Sequence, residues 1–329
     1  MQRTPKFEWE KLGKLFDPSD QNHGGWMKTF AQSPSAIVFD DFVRLYFCTR
    51  PDPSPDGQYL SYLSYIDLDL ADPTKIVGIC QEPAMTLGGL GTFDEFGTNP
   101  ISVIRHRDEL RVYYAGWTRC ESVPFNGAIG VAISSDGGRT FERIGPGPVL
   151  SYSPYEPYLI GSPRIRKFGE RWVLFYVAGK KWISTKTNPE PVYKIRRADS
   201  TDGINWSQFG HDLIPGALGE DECQACADVT YRDGRYHMFF SYRHSQNYKS
   251  KEFGYRTGYA SSSDLDHWDR TDEIAGIETS ESGWDAEMTC YPHVFSLGEN
   301  TYMAYQGNGM GQAGIGLAKL KRRSGWNRS

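Results

Sequence analysis

Apolar and polar positions along the chain follow a pattern that returns five times. Each copy is a short apolar run, a polar turn and a second run rich in aromatic residues. The copies read PSAIVFDDFVRLYF from Pro34, PISVIRHRDELRVYYAG from Pro100, PRIRKFGERWVLFYVAG from Pro163, ADVTYRDGRYHMFFSYR from Ala227 and PHVFSLGENTYMAYQG from Pro292. Their starts lie 66, 63, 64 and 65 residues apart. A fixed long period marks a repeat architecture, in which each unit buries its apolar face against its neighbours. The first run of each unit is nearly continuous in apolar residues, as suits a strand buried on both faces. Turns at 168–171 (FGER) and 232–235 (RDGR) then link it to the second run as a hairpin.

A third strand follows in four units: IGVAIS from Ile129, YKIRRADS from Tyr193, GYASSS from Gly258 and GIGLAKL from Gly314. Three of these run into one kind of turn, SSDGGRTF (134–141), STDGINW (200–206) and SSDLDHW (262–268). The aspartate of such a turn accepts hydrogen bonds from backbone N–H groups, so Asp136, Asp202 and Asp264 read as scaffold. A fourth segment comes next, FERIGPGPVL from Phe141 and WSQFGHDLIP from Trp206. The same pattern, WEKLGKLFDP, stands at Trp9 before the first unit, while the fifth unit ends near Leu320 without a copy. The N-terminal segment (7–18) is therefore expected to supply the outer strand of the last unit and to close a ring. The expected fold is all-β, a five-bladed β-propeller with four antiparallel strands per blade. One domain spans 1–329, with blades near 31–90, 91–153, 154–217, 218–281 and 282–320. No segment of ten or more residues has helical periodicity, which excludes an α/β reading.

A net charge of −5 argues against nucleic acid as a partner, since phosphate binding needs a basic stripe. No apolar run reaches the roughly 18 residues of a membrane span. The first residues, MQRTPKFEWEKLGKLFDP, lack a signal-peptide apolar stretch, so a cytoplasmic location is expected. The six cysteines are scattered and read as reduced thiols; Cys223 and Cys226 form a CxxC with no second pair at zinc spacing.

In a propeller the innermost strands line the axis, and the segments leading into them form a funnel. These lead-ins are AQSPSA (31–36), FDEFGTNP (93–100), YEPYLIGSP (155–163), EDECQACAD (220–228) and WDAEMTCYPH (284–293). Four of them carry acids: Asp94, Glu95, Glu156, Glu220, Asp221, Glu222, Asp228, Asp285 and Glu287. Converging carboxylates suit a cation or glycoside chemistry, where one carboxylic acid protonates the leaving oxygen and one carboxylate attacks or activates water. Trp284 beside Asp285 and Glu287 suits sugar stacking, and His293 on the last inner strand is a candidate ligand for a funnel-bound cation, although no cofactor is required. Arg119, Lys180, Lys181, Arg243, His244, Lys249, Lys251 and Arg256 follow second strands, where they can meet a charged substrate. Walker, GxSxG and HExxH motifs are absent, and GNGMGQAG (307–314) joins two strands as a turn.

The motifs FDEFGTNP, SSDGGRTFERIGPGPVL, DECQACADVTYRDGRYHMFFSYR, GYRTGYASSSDLDHW and GWDAEMTCYPHVF, with YMAYQGNGMGQAGIGLA, cover most of the length. The chain resembles glycosidase-like five-bladed propellers often found with bacterial surface-polysaccharide genes. More distantly it is similar to the arabinanase/β-xylosidase, invertase and mannoside-phosphorylase propellers. That resemblance implies action on a glycan or activated sugar, by hydrolysis, transfer or phosphorolysis. It makes Asp94, Glu156, Glu222 or Asp228, and Asp285 catalytic candidates. Within that set Glu222 is the expected general acid, Asp94 or Asp285 the base or nucleophile, and Glu156 and Asp228 their partners. The first lead-in departs from those enzymes: QSPSA has no carboxylate where they place a nucleophile. Two other readings stay open: a non-catalytic glycan-binding propeller in polysaccharide assembly, and a metal-assisted reaction on a small polar metabolite.

Overall fold

The computed structural model describes residues 6–55, 57–186 and 188–321. Strand β1 (Trp9–Phe16) precedes β2 (Thr29–Val38), β3 (Phe42–Arg50), β4 (Tyr62–Asp69) and β5 (Ile76–Ile79) of the first blade. The second blade is β6 (Gly97–His106), β7 (Glu109–Arg119), β8 (Phe125–Ser134) and β9 (Glu142–Arg143). The third is β10 (Ile160–Phe168), β11 (Arg171–Ile183), β12 (Glu190–Ser200) and β13 (Ser207–Gln208). The fourth is β14 (Cys223–Arg232), β15 (Arg235–Arg243), β16 (Arg256–Ser262) and β17 (Asp269–Arg270). The fifth holds β18 (Cys290–Leu297), β19 (Asn300–Gln306) and β20 (Ile315–Leu320), and β1 pairs antiparallel with β20 as its outer strand. The five sheets of four strands and the closure by the N-terminal strand are those expected. Several outer strands are much shorter than the sequence pattern suggests, since glycines and prolines in FERIGPGPVL and WSQFGHDLIP break the ladder.

The apolar cores lie between adjacent sheets; Phe175 and Ile195 of the third, for example, pack with Val229 and Met238 of the fourth. The three aspartate turns bind their own backbones as expected. Asp136 accepts from the N–H groups of Arg139 at 2.9 Å and Thr140 at 3.0 Å, and Asp202 and Asp264 repeat the contact. The Asn205 N–H and its companions hold Asp202 well below the usual carboxylate range. Two turns also dock on the preceding sheet: the Tyr46 hydroxyl donates to the Gly138 carbonyl and Tyr113 to the Gly203 carbonyl, both at 2.8 Å. A Cβ at Gly138 would lie 2.0 Å from the Tyr46 hydroxyl oxygen, so this contact requires glycine.

Around the axis each inner strand carries an irregular step beside its first proline or alanine. The preceding residue takes positive φ in four blades (Ser33 57°, Ser162 47°, Cys226 55°, Tyr291 53°), and the second blade has a cis Asn99–Pro100 bond. Side-chain oxygens then bridge neighbouring blades. Ser35 accepts from Val103 N–H at 2.9 Å, Ser102 from Ile165 at 3.2 Å, Ser162 from Cys226 at 3.1 Å and Asp228 from Val294 at 2.8 Å. Gln306 accepts from Ser33 N–H at 2.7 Å and completes the circle. Arg164 crosses the axis beneath this ring, donating to the Cys226 sulfur and to the Pro34 and Ile101 carbonyls.

Deleting residues 6–16 would strip β20 of its outer partner and open the ring. The deletion is expected to abolish a single cooperative thermal transition, monitored by circular dichroism, and an unchanged melting profile would refute closure by β1.

Candidate functional site

A carboxylate buried at a blade lead-in is costly unless it is paired. Asp94, Glu156, Glu222 and Asp285 are all buried, and all follow one plan. Each is bonded within its own blade, with a cation as one partner and, in three blades, a second-strand tyrosine as another. Asp94 accepts from Tyr114 hydroxyl at 3.0 Å and Arg143 Nε at 2.6 Å. Glu156 accepts from Tyr176 and Arg196, each at 2.8 Å, and from Gln208. Glu222 accepts from Arg270 at 2.7 Å, from Gln224 at 2.8 Å and from the N–H groups of Ala217 and Leu218. Asp285 accepts from Lys11 of the closing strand at 2.6 Å and from Tyr305 at 2.9 Å. These contacts clamp each of the four lead-ins to its blade, and in every one of them a residue of the outermost strand takes part. The first lead-in, which has no acid, is held through Gln32, whose Nε2 donates to the Met310 carbonyl at 2.6 Å and whose Oε1 accepts from Arg50 Nε at 3.1 Å.

Asp228 lies on the inner strand with Arg166, His293 and Val294 N–H around it. Burial favours its protonated form, but Arg166 and His293 outweigh it and hold the carboxyl well below its ordinary range. Burial lowers the His293 pKa, so Nδ1 of a neutral ring donates to Asp228 at 3.0 Å. Its Nε2 is buried without a hydrogen-bond partner. Among the described residues no three His, Cys, Asp or Glu side chains lie where they could hold a metal ion.

The remaining expected site residues are dispersed. Glu95 accepts from Gly91 N–H, and Asp221 pairs with Lys181 at the surface. Glu287 is exposed, and Arg256 donates to its backbone carbonyl. Trp284 packs with Tyr305 and against Gly307 and Gly316, where an added Cβ would lie 2.4 and 2.5 Å from it. Of the expected basic residues that are described, Arg243 and Lys249 reach the axial space.

That space consists of two adjoining cavities of about 360 and 190 Å³, which share Arg50, Asn99, Phe125, Tyr193, Tyr248, Tyr291 and Met310. None of Asp94, Glu156, Glu222, Asp228 and Asp285 lines either one. Walls come from the ends of second strands (Arg50, Trp117, Arg243) and the starts of third strands (Phe125, Glu190, Tyr193). Among the described residues Glu190 is their one carboxyl. Burial raises its pKa against the opposing pull of Arg243 and Tyr248. The Asn99 Oδ1 is buried without a partner. Burial likewise keeps the Tyr193 and Tyr291 hydroxyls neutral, and Tyr193 bonds to Tyr255 at 2.6 Å. The arrangement offers aromatic faces, neutral donors and acceptors, two guanidinium groups and a single acid.

Arg50, Tyr59, Asn99, Trp117, Phe125, Glu190, Tyr193 and Tyr248 are not among the residues the sequence pattern singles out as site candidates. One signal was available: Arg50 ends the first blade's second strand as Arg243 ends the fourth's.

No family model matches the chain. Two curated Mycobacterium tuberculosis proteins, uncharacterized protein MT1551 (strain CDC 1551 / Oshkosh) and uncharacterized protein Rv1502 (strain H37Rv), are each 33% identical over 315 residues. The match covers 95% of this chain and 99% of each relative. Among solved structures, BT0996 in an RGII complex superposes with a TM-score of 0.71 at 18% identity, covering 99% of this chain and 94% of that protein. The Listeria innocua β-1,2-mannobiose phosphorylase, in complex with β-1,2-mannobiose, gives a TM-score of 0.68 at 13% identity and covers 96% of both proteins. At these identities the likeness is one of fold.

The clamps predict how stability responds to acid. Arg270, Gln224 and backbone N–H groups outweigh burial and depress the folded-state pKa of Glu222. Its stabilisation is thus complete above the ordinary glutamate pKa of about 4.3 and is lost as pH falls through the lower folded value. Glu222→Gln should cost about 2 kcal/mol at neutral pH in urea unfolding, since it removes a buried charge-assisted partner of Arg270 and leaves that guanidinium only the Asp272 carboxylate. The variant should lose less stability than the parent between pH 5 and pH 3, and equal acid slopes would contradict the clamp.

Proposed function

This chain belongs to one family with those two mycobacterial proteins, and we propose that it is a carbohydrate-active enzyme whose sugar binds in the axial cavities. Glu190 would be its general acid. The observation carrying the proposal is the composition of the cavity wall. Rings at Tyr59, Trp117, Phe125 and Tyr248 give apolar faces for sugar C–H groups, and the unpartnered Asn99 oxygen gives an acceptor for a hydroxyl. A carboxyl whose pKa burial raises holds its proton nearer neutrality and can deliver it to a glycosidic oxygen. The fold shared with a mannoside phosphorylase and the sugar-ligand complexes among its structural neighbours support the same reading.

One acid on the wall favours transfer to an acceptor other than enzyme-activated water. Hydrolysis with inversion requires a second carboxylate as base, and retention requires one as nucleophile. In transfer or phosphorolysis the acceptor itself supplies the nucleophilic oxygen. Proton donation by Glu190 to the leaving oxygen is then the step assigned to a protein carboxyl. The same lone acid also favours a second reading, a glycan-binding propeller without turnover.

General-acid catalysis leaves a distinctive signature. On an alkyl glycoside or oligosaccharide that the enzyme cleaves, Glu190→Gln should slow turnover by about 10²–10⁴. On the matching p-nitrophenyl glycoside, whose leaving group needs no proton, the loss should be far smaller. The parent's rate should fall as pH rises through the Glu190 pKa, and the variant should lack that limb. Equal losses on both substrates, or an unchanged pH profile, would refute the role. Trp117→Ala should weaken sugar binding about tenfold in calorimetry. Binding that depends on Trp117 without turnover in the parent would establish the second reading.

A further inference from the structure

The arginines enclosed in the fold, among the described residues, differ in what they face. Most face a carboxylate: Arg44 pairs with Asp67, Arg143 with Asp94, Arg196 with Glu156, Arg270 with Glu222 and Arg166 with Asp228. Arg164 has no such partner, but all three of its nitrogens donate to a sulfur or a carbonyl. Arg50 differs from all of these. Its Nε donates to Gln32 Oε1 at 3.1 Å, and its guanidinium lies 4.5 Å from the Phe30 ring centre and 5.2 Å from that of Tyr59. Among the described residues no carboxylate lies within ion-pair distance of it, and neither terminal nitrogen makes a hydrogen bond. The group is thus fixed at its base, stacked on its faces and open at its fork, and it lines both axial cavities.

Arg243 is its counterpart across the ring. Cys48 pairs with the residue just before Ser33, and Ser241 with the residue just before Cys226; Arg50 and Arg243 each stand two positions further on. Arg243 sits 3.7 Å from the Tyr248 ring centre and donates to the His244 and Ser245 carbonyls and to the Tyr193 hydroxyl. Its Nε is buried without a partner, and it too has no carboxylate in ion-pair range among the described residues. Lys249 adds a third cation on the wall, against the one carboxyl of Glu190. In a protein of net charge −5, a cavity with this balance is a local positive well.

We infer that the ligand of the axial cavity carries an oxyanion, a phosphate ester or a carboxylate borne by a sugar, and that Arg50 receives it through its two free nitrogens. Desolvating a guanidinium without a counter-charge is costly, and a bidentate oxyanion supplies both the charge and the acceptors. That the anion is part of a sugar rests on the function proposed above; the anion site itself does not.

Titration calorimetry with inorganic phosphate, glucose 1-phosphate, glucuronate and glucose tests this on the parent and on Arg50→Gln, with Arg139→Gln at an exposed turn as control. At least one of the three anions should bind saturably. Its affinity should fall about tenfold or more in Arg50→Gln, fall partway in Arg50→Lys and stay unchanged in Arg139→Gln. Preference for the phosphates identifies an ester, and preference for glucuronate a carboxylate. If no anion binds, or if Arg50→Gln and Arg50→Lys bind as the parent does, the inference fails. Neutral glycans bound and turned over through Glu190 would still leave the proposed function standing. Conversely, Arg50-dependent phosphate binding with an inert Glu190 would sink that function and keep the anion site.

Discussion

The inner strand of every blade has a free edge, and its N–H groups need acceptors that no sheet ladder supplies. In this chain the acceptor is a side-chain oxygen from the preceding blade, Ser35, Ser102, Ser162, Asp228 or Gln306 in turn. An unsatisfied buried N–H is expensive, so these bonds fix how closely the five blades approach the axis. They also commit Asp228, an acid well placed by sequence for chemistry, to holding the fourth and fifth blades together. In three blades the residue just before this step, Asn99, Ser162 or Tyr291, lines the larger of the two axial cavities.

Charge is distributed by the same logic at the next radius. Each acidic lead-in is tied to a cation of its own blade, so the ring of carboxylates and the cations around it largely neutralise one another. What remains for the axis is the minority of side chains the scaffold does not consume: Arg50, Arg243, Glu190 and a set of aromatic rings. A ring of acids near a funnel and a funnel rich in acids are different objects, and three of the four clamps include a second-strand tyrosine that keeps them apart. Tyr114, Tyr176 and Tyr305 hold the carboxylates of Asp94, Glu156 and Asp285 away from the axial space.

The fold was legible in the sequence because it rests on local, periodic signals: the recurring apolar and aromatic runs, the three aspartate turns, and the displaced copy at Trp9 that completes the last blade. The site was legible only in part. Lead-in acids stand out in a linear reading, whereas their partners Arg143, Arg196, Arg270 and Lys11 lie on other strands, so the pairing that absorbs each charge is a tertiary fact. Arg243 and Lys249 were found because they follow a second strand. Glu190 was not, since it opens a third strand between two prolines, with no acid beside it, and is distinguished only by what packs over it. Arg50 was missed for the opposite reason: its isolation from carboxylates can be seen only once every other arginine has been placed.

The central claim is that the lead-in carboxylates belong to the scaffold and that Glu190 is the carboxyl able to hold a proton for chemistry. Carbon-13 NMR titration of labelled Asp and Glu side chains tests it without any knowledge of the ligand. The account predicts that the Glu190 carboxyl titrates above the ordinary glutamate range, while those of Glu222 and Asp228 stay ionised well below theirs. An ordinary or low value for Glu190, together with a raised value for Glu222 or Asp228, would return the chemistry to the ring of acids and contradict the account.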